Sequence, residues 1–188
     1  MIRLSMLMML FISFSAQAEL SYDLLAKLTD SPASLQGRFE QQKQIVEFDT
    51  TLTSQGRFEY QRHQFIHWMT ETPIENELTM TPDDIVSRQG NNEILHIKTD
   101  KNPSVQILSN IFFAVLTAQW HDLAEFFYAN GEQHGEQWHV TLTPKKQTLK
   151  QVVSSVELSG DKWLREVTLN EHNGDKTHIT FSELSQSH

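Results

Sequence analysis

The sequence has no cysteine and a shortage of positive charge: 15 lysines and arginines stand against 24 aspartates and glutamates. Without cysteine the chain forms no disulfide, so its stability depends on the packed core alone, and it carries no thiol nucleophile and no lipid-modified N-terminal cysteine. The formal net charge of −9 comes without a basic stripe. Such a chain is a poor ligand for nucleic acid and for an anionic membrane surface.

Catalytic motifs are missing as well. The chain has no Gly-x-Ser-x-Gly nucleophile elbow, no glycine-rich phosphate loop and no His-Glu-x-x-His helix. Nine histidines are present, but pairs such as His134 and His139 lack ligand spacing and have no carboxylate or thiol cluster beside them. The sequence therefore predicts a protein that is not an enzyme and that needs no metal and no cofactor.

Residues 1–18 have the three parts of a secretory signal peptide. Arg3 supplies the positive charge, Leu4 to Phe14 is rich in Met, Leu and Phe, and Ala16-Gln17-Ala18 is a small-residue cleavage site. The apolar run is shorter than the roughly 20 residues of a transmembrane helix. We therefore expect residues 19–188 to form a single domain that is released into the periplasm.

Beyond the leader, the hydrophobic pattern predicts a short helix, a run of strands, a helical block and a second run of strands. The helix covers Ser21 to Thr29, and the helical block covers residues 103–117 and 120–129, ending at Asn130-Gly131. Alternating apolar residues predict the remaining elements as strands. These are residues 35–46, 50–53, 56–62, 65–70, 75–81, 85–89, 93–99, 137–143, 149–158, 162–169 and 177–184. The fold class is α+β, with a large antiparallel sheet interrupted by a helical insert.

Two apolar surfaces stand out in this pattern. Phe58 and Tyr60 share one face of a strand with Arg62, and Ile66 and Trp68 share a face of the next. The helical block carries a stripe that must cover part of the sheet, formed by Val105, Leu108, Ile111, Phe112, Val115 and Leu116. The aromatic rows fit an ordinary core or a binding site for a hydrophobic ligand. Arg62 is either a residue at the rim, with its guanidinium group in solvent, or a hydrogen-bond donor to buried carbonyls.

Several short segments, taken in order, carry a resemblance to a known family. They are Phe39-Glu40-Gln41, Gly56, Arg62 with Trp68 six residues later, and Leu142-Thr143-Pro144-Lys145. With the leading helix, their order and spacing resemble the outer-membrane lipoprotein carrier protein (LolA) family over most of the chain after residue 18. The resemblance implies a strongly curved antiparallel sheet, an unclosed half β-barrel, covered by a lid of helices with a hydrophobic cavity between.

The resemblance also implies a function and a set of site residues. The protein would bind the acyl chains of lipoproteins and carry them, as a monomer, from an ATP-driven releasing complex of the inner membrane to an outer-membrane receptor. Arg62 would hold the lid closed through backbone carbonyls. The lipid-binding residues would be Phe39, Phe58, Tyr60, Ile66 and Trp68 on the sheet, and Leu108, Ile111, Phe112, Val115 and Leu116 on the lid.

The sequence departs from the family pattern at a few positions. His63 stands where the family usually has proline, and Glu59 stands where a strand tryptophan is usual. These differences leave the expected fold intact and bear on the cargo. The alternative is a periplasmic shuttle for a non-protein lipid or glycolipid.

Overall fold

The computed structural model describes residues 21–98 and 103–186, and the predicted signal peptide lies outside them. The α-helices of this part are α1 (Tyr22–Leu28), α2 (Pro103–Leu116), α3 (Trp120–Leu123) and α4 (Gln147–Lys150), and a 3-10 turn spans Val46–Phe48. The strands are β1 (Ser34–Ile45), β2 (Thr50–Gln61), β3 (Phe65–Thr72), β4 (Asn76–Met80), β5 (Asp84–Gln89), β6 (Asn92–Lys98), β7 (Phe127–His134), β8 (Gln137–Pro144), β9 (Val153–Gly160), β10 (Leu164–Glu171) and β11 (Lys176–Ser185). None of these helices has the length and apolar content needed to span a bilayer.

The strands form one curved, unclosed antiparallel sheet, as predicted. Its order is β6-β5-β4-β3-β2-β1-β11-β10-β9-β8-β7. Each half is a meander of sequential hairpins, and the pairing of β1 with β11 joins the two halves at the centre. Since β6 and β7 lie at opposite edges, the chain that connects them must cross a face of the sheet. The helical insert makes this crossing, and it covers the concave face.

Gly56 allows the central aromatic packing. It pairs with Phe39 across β1 and β2, and a Cβ atom added to Gly56 would lie 1.9 Å from the carbonyl oxygen of Met69 and 2.9 Å from the Phe39 ring. The Phe39 ring therefore lies over the bare backbone of Gly56 and stacks on Trp68 with a centroid separation of 3.9 Å. A side chain at position 56 would displace this stack.

The helix predicted for residues 120–129 is wrong beyond its first turn. The helix α3 ends at Leu123, and Asn130 and Gly131 lie inside β7 instead of ending a helix. A Cβ atom on Gly131 would lie 2.2 Å from the carbonyl oxygen of His139, so this glycine serves the close approach of β7 and β8. The chain reverses at Gly135, whose φ of +64° is in the region that favours glycine.

The strand predicted from Leu149 also begins too early. Leu149 lies in α4, where its backbone N–H donates to the carbonyl oxygen of Lys146 over 3.0 Å, and β9 starts only at Val153. The side chain of Leu149 is buried. A single helical turn therefore places an apolar residue in the core as an alternating strand would, and the sequence pattern alone does not separate the two.

Candidate functional site

A cavity of about 270 Å³ lies between α2 and the concave face of the sheet. Thr177 is the only polar residue among the described residues that line it. The other lining residues are aliphatic or aromatic: Trp68, Ile111, Phe112, Val115, Leu116, Phe127, Leu142, Leu149, Val153, Val156, Val167, Leu169, Ile179 and Phe181. A wall of this composition offers almost no hydrogen bond to a ligand. The cavity therefore suits a hydrocarbon chain better than a polar metabolite.

The helix α2 forms the roof of the cavity through the stripe that the sequence identifies. Ile111, Phe112, Val115 and Leu116 all face it, and the Phe112 ring meets Trp68 edge-on with a centroid separation of 6.0 Å. The side chain of Leu108, also predicted to bind lipid, lies outside those described. Because these roof residues line the cavity, a movement of α2 away from the sheet changes the volume available to a ligand.

The floor of the cavity comes mainly from the second half of the chain, which the sequence analysis did not select. Leu142 on β8, Val156 on β9, Val167 and Leu169 on β10 and Ile179 on β11 face the cavity at alternate positions. The sequence does carry one sign of this floor, the alternation of apolar residues in Val167-x-Leu169 and Ile179-x-Phe181. It indicates a buried face, but the sequence does not say that this face looks at a cavity and not at a packed core.

The predicted residues of the first half form a packed aromatic cluster beside the cavity. Phe39 and Phe58 lie next to Trp68, and Phe58 meets the Phe181 ring at 5.2 Å. Trp68 and Phe181 thus belong to both the cluster and the cavity wall. Phe39, Phe58, Tyr60 and Ile66 are buried and lie outside the cavity lining. Their role in lipid binding stays a prediction. In the structure, the Phe39 and Phe58 rings stack on Trp68 and so support one wall of the cavity.

Tyr60 lies in a part of the core that has no room for an acyl chain. The space that it lines with Phe58 and Trp163 measures only about 10 Å³. Burial raises the pKa of the Tyr60 phenol well above its ordinary value, and the positive charge of Arg62 partly opposes this shift. Tyr60 is therefore neutral at physiological pH, and it packs near Arg62 without forming an ion pair.

Arg62 reaches the helical layer through Ser31. Its guanidinium donates to the carbonyl oxygen of Ser31 over 3.0 Å and to the Ser31 hydroxyl over 3.1 Å. That hydroxyl donates in turn to the carbonyl oxygen of Thr117, directly after α2, over 2.6 Å. The resemblance implies bonds from the arginine to lid carbonyls, whereas here a serine relays the contact to α2. The latch role of Arg62 stays a prediction.

Further hydrogen bonds tie the C-terminal end of the helical insert to α1 and the sheet. The indole of Trp120 donates to the Thr29 hydroxyl over 2.6 Å, and that hydroxyl donates to the carbonyl oxygen of Leu25 over 2.8 Å. Tyr22 donates to the carbonyl oxygen of Phe127 over 3.1 Å, and burial raises the pKa of its phenol to about 12. These contacts anchor α3 and the start of β7.

The Pro144-Lys145 motif also holds the segment between α3 and β7 in place. The backbone N–H of Lys145 donates to the carbonyl oxygen of Phe126 over 2.8 Å, and its ammonium group donates to that of Ala124 over 2.5 Å. Both acceptors lie between α3 and β7. Lys145 thus fixes the point where the chain leaves the helical layer and enters the sheet.

The family model for the outer membrane lipoprotein carrier protein LolA matches residues 30–188. The chain belongs to the LolA family. Members of this family are periplasmic carriers of lipids or lipoproteins and not enzymes. In the described part of the chain, His, Asp and Glu side chains form no group that could hold a metal ion. No curated protein sequence matches the chain.

Solved structures with a similar fold have very different sequences. The Pseudomonas aeruginosa MucA/MucB complex aligns with a TM-score of 0.52 and 14% identity over 89% of this chain, which spans 57% of that chain. A LolA superfamily protein, NE2245 from Nitrosomonas europaea, aligns with a TM-score of 0.47 and 8% identity, over 87% of this chain and 90% of the NE2245 chain. A putative outer membrane lipoprotein-sorting protein domain from Vibrio parahaemolyticus aligns at 0.46 and 10%, over 88% and 90%.

Proposed function

We propose that this member of the LolA family is a soluble periplasmic carrier that shields acyl chains of lipoproteins in the cavity under α2. The observation that carries the proposal is the composition of that cavity, in which fourteen of the fifteen described lining residues are apolar. The leader predicted for residues 1–18 supports a periplasmic location. In this function, the carrier receives cargo from an ATP-driven releasing complex of the inner membrane and delivers it to an outer-membrane receptor.

The energetics of acyl transfer explain why a carrier needs such a cavity. Each methylene group removed from water contributes about 0.8 kcal/mol, so a long acyl chain gains on the order of 10 kcal/mol when fully buried. The observed volume of about 270 Å³ is near the lower end of the range for ligand sites. The closed form therefore shelters part of a chain, and a whole chain requires α2 to move away from the sheet.

This requirement makes release possible without ATP hydrolysis by the carrier. When α2 moves, the contact between Phe112 and Trp68 and the relay from Arg62 to Thr117 are lost. The free energy of these contacts is lost when cargo binds, and the affinity for cargo is lower as a result, because cargo binding and lid closure compete. The carrier then holds its cargo less tightly than the buried surface alone predicts.

Native mass spectrometry of the protein purified from periplasm without detergent tests this function. We expect a stoichiometric adduct with the mass of an acylated polypeptide. A lipid adduct without polypeptide would contradict lipoprotein transport and assign the cavity to a lipid or glycolipid. A protein that is always free of apolar ligand, even after incubation with acylated peptide, would contradict the carrier function itself.

A further inference from the structure

One end of the cavity carries a pair of opposite charges. Lys43 on β1 donates from its ammonium group to the Glu171 carboxylate over 2.9 Å, with side-chain exposures of 35% and 20%. Lys43 is the cross-strand partner of Thr177, which lines the cavity. Cross-strand partners on one face have Cβ atoms about 5 Å apart. The aliphatic part of the Lys43 side chain, which carries the ammonium group at its end, therefore starts next to the cavity wall.

Glu171 approaches the same point from the other side of β11. It lies two residues beyond Leu169, a cavity residue paired with Thr177, and so shares the face of Leu169. Because β11 lies between them, the strands β1 and β10 that carry Lys43 and Glu171 are about 10 Å apart. The two side chains must extend across β11 to meet. Their ion pair thus crosses the concave face at the Thr177 end of the cavity.

We propose that Lys43 is the head-group site of the cavity and that it binds the anionic oxygens of an acyl ligand, carboxylate or phosphate, in place of Glu171. An acyl chain lying against Leu169 and Ile179 would bring its polar end out past Thr177, where the ammonium group lies. A partly desolvated lysine is the favourable partner for an anionic oxygen at this point. The inference rests on the proposed acyl binding and goes beyond lipoprotein cargo, whose acyl chains end in uncharged esters and amides: the ligands of Lys43 are fatty acids and phosphate-bearing lipids.

The exchange of partners gives the two residues opposite effects. Free of ligand, Lys43 is paired with Glu171, so neither of these two charges faces the cavity end alone. When the ligand binds, its anionic head competes with the Glu171 carboxylate for the same ammonium group. Removing Lys43 therefore weakens binding of an anionic amphiphile, and neutralising Glu171 strengthens it. A pair that only braces the sheet predicts neither opposite signs nor dependence on the ligand head.

Displacement of the neutral fluorescent probe N-phenylnaphthylamine by dodecanoate, dodecyl phosphate and methyl dodecanoate tests the site. For Lys43→Met we expect affinity for the two anionic ligands to fall about three- to tenfold, and for Glu171→Gln to rise by a similar factor. Methyl dodecanoate should bind all variants equally. Lys176→Met is the matched control, because Lys176 is an exposed lysine on the neighbouring strand β11, and it should leave all affinities unchanged.

The three ligands also distinguish a fatty acid from a phosphate-bearing lipid as the source of the head group. They further distinguish a failure of the head-group site from a failure of acyl binding. A larger effect with dodecyl phosphate supports a phosphate-bearing lipid, and a larger effect with dodecanoate supports a fatty acid. If both variants change the affinity for methyl dodecanoate as much as for the anions, or if neither changes any affinity, the head-group site is wrong while acyl binding stands. If no ligand displaces the probe from the wild-type protein, both acyl binding and the head-group site are overturned.

Discussion

The variant Phe112→Asp should lose acyl binding while keeping its fold. Phe112 lines the cavity, meets Trp68 and is half-buried. A carboxylate at this position would face an apolar wall with no partner, and burying it under an acyl chain costs several kcal/mol. We expect the affinity for a fluorescent fatty acid to fall at least about tenfold, since 1.4 kcal/mol already gives that factor. Fluorescence titration measures this directly.

The neighbouring residue Phe113 provides a matched control. It is also a half-buried phenylalanine of α2, but it is outside the cavity lining, because adjacent helical residues point about 100° apart. The variant Phe113→Asp should therefore bind the fatty acid within about threefold of wild type, even if its thermal stability falls. Equal loss of binding in both variants would mean that a charge on α2 acts through stability, and full binding by Phe112→Asp would place the ligand elsewhere.

Substituting Arg62 by leucine should give a folded protein that takes up cargo and releases it slowly. The substitution removes the two bonds to Ser31 and thereby loosens the relay to Thr117. A less stable closed form competes less with the ligand, so the ligand dissociates more slowly. Hydrogen bonds to a charged group are worth about 1.5–3 kcal/mol, and we expect roughly tenfold slower transfer of a fluorescent acyl cargo to acceptor vesicles in stopped-flow measurements.

Two further variants separate the latch from a general charge effect. The variant Ser31→Ala removes the hydroxyl that bridges Arg62 and Thr117, so it should slow transfer in the same direction by a smaller factor. The variant Arg57→Leu makes the Arg-to-Leu change at an exposed position of β2, the strand that ends directly before Arg62, and should transfer at the wild-type rate. Normal transfer by both Arg62→Leu and Ser31→Ala would remove Arg62 from any role in lid closure.

The local elements of this fold were predictable because each depends on neighbours in the sequence. Ser21 caps α1 as predicted, with its hydroxyl accepting from the backbone N–H of Leu24. The alternation on β2 and β3 places Phe58, Tyr60, Ile66 and Trp68 inside, as expected. The missed boundary at Phe127 has a physical reason: Asn130-Gly131 is a common helix stop, and only the close approach of β8 shows why a glycine lies there.

The candidate site was only half predictable. The roof residues Ile111, Phe112, Val115 and Leu116 follow from helical periodicity, and they line the cavity. The contact of Trp68 with Phe181 in the cavity wall depends on the pairing of β1 with β11, which brings together segments about 140 positions apart, as in Phe39 with Phe181. Hydrophobic alternation does not encode such pairing. The sequence pattern favours the aromatic residues of the first half as the site, while the aliphatic residues of β8 to β11 form most of the cavity wall.

The most direct test of acyl binding under α2 is photo-crosslinking with a fatty acid that carries a diazirine near the end of its chain. After irradiation and digestion, mass spectrometry locates the modified residues. Crosslinks on α2 and on the inward positions of β9 to β11, such as Ile111, Val156 and Ile179, are the predicted result. Crosslinks confined to exposed positions such as Phe48 or Tyr128, or none despite measurable binding, would contradict a ligand site between α2 and the sheet.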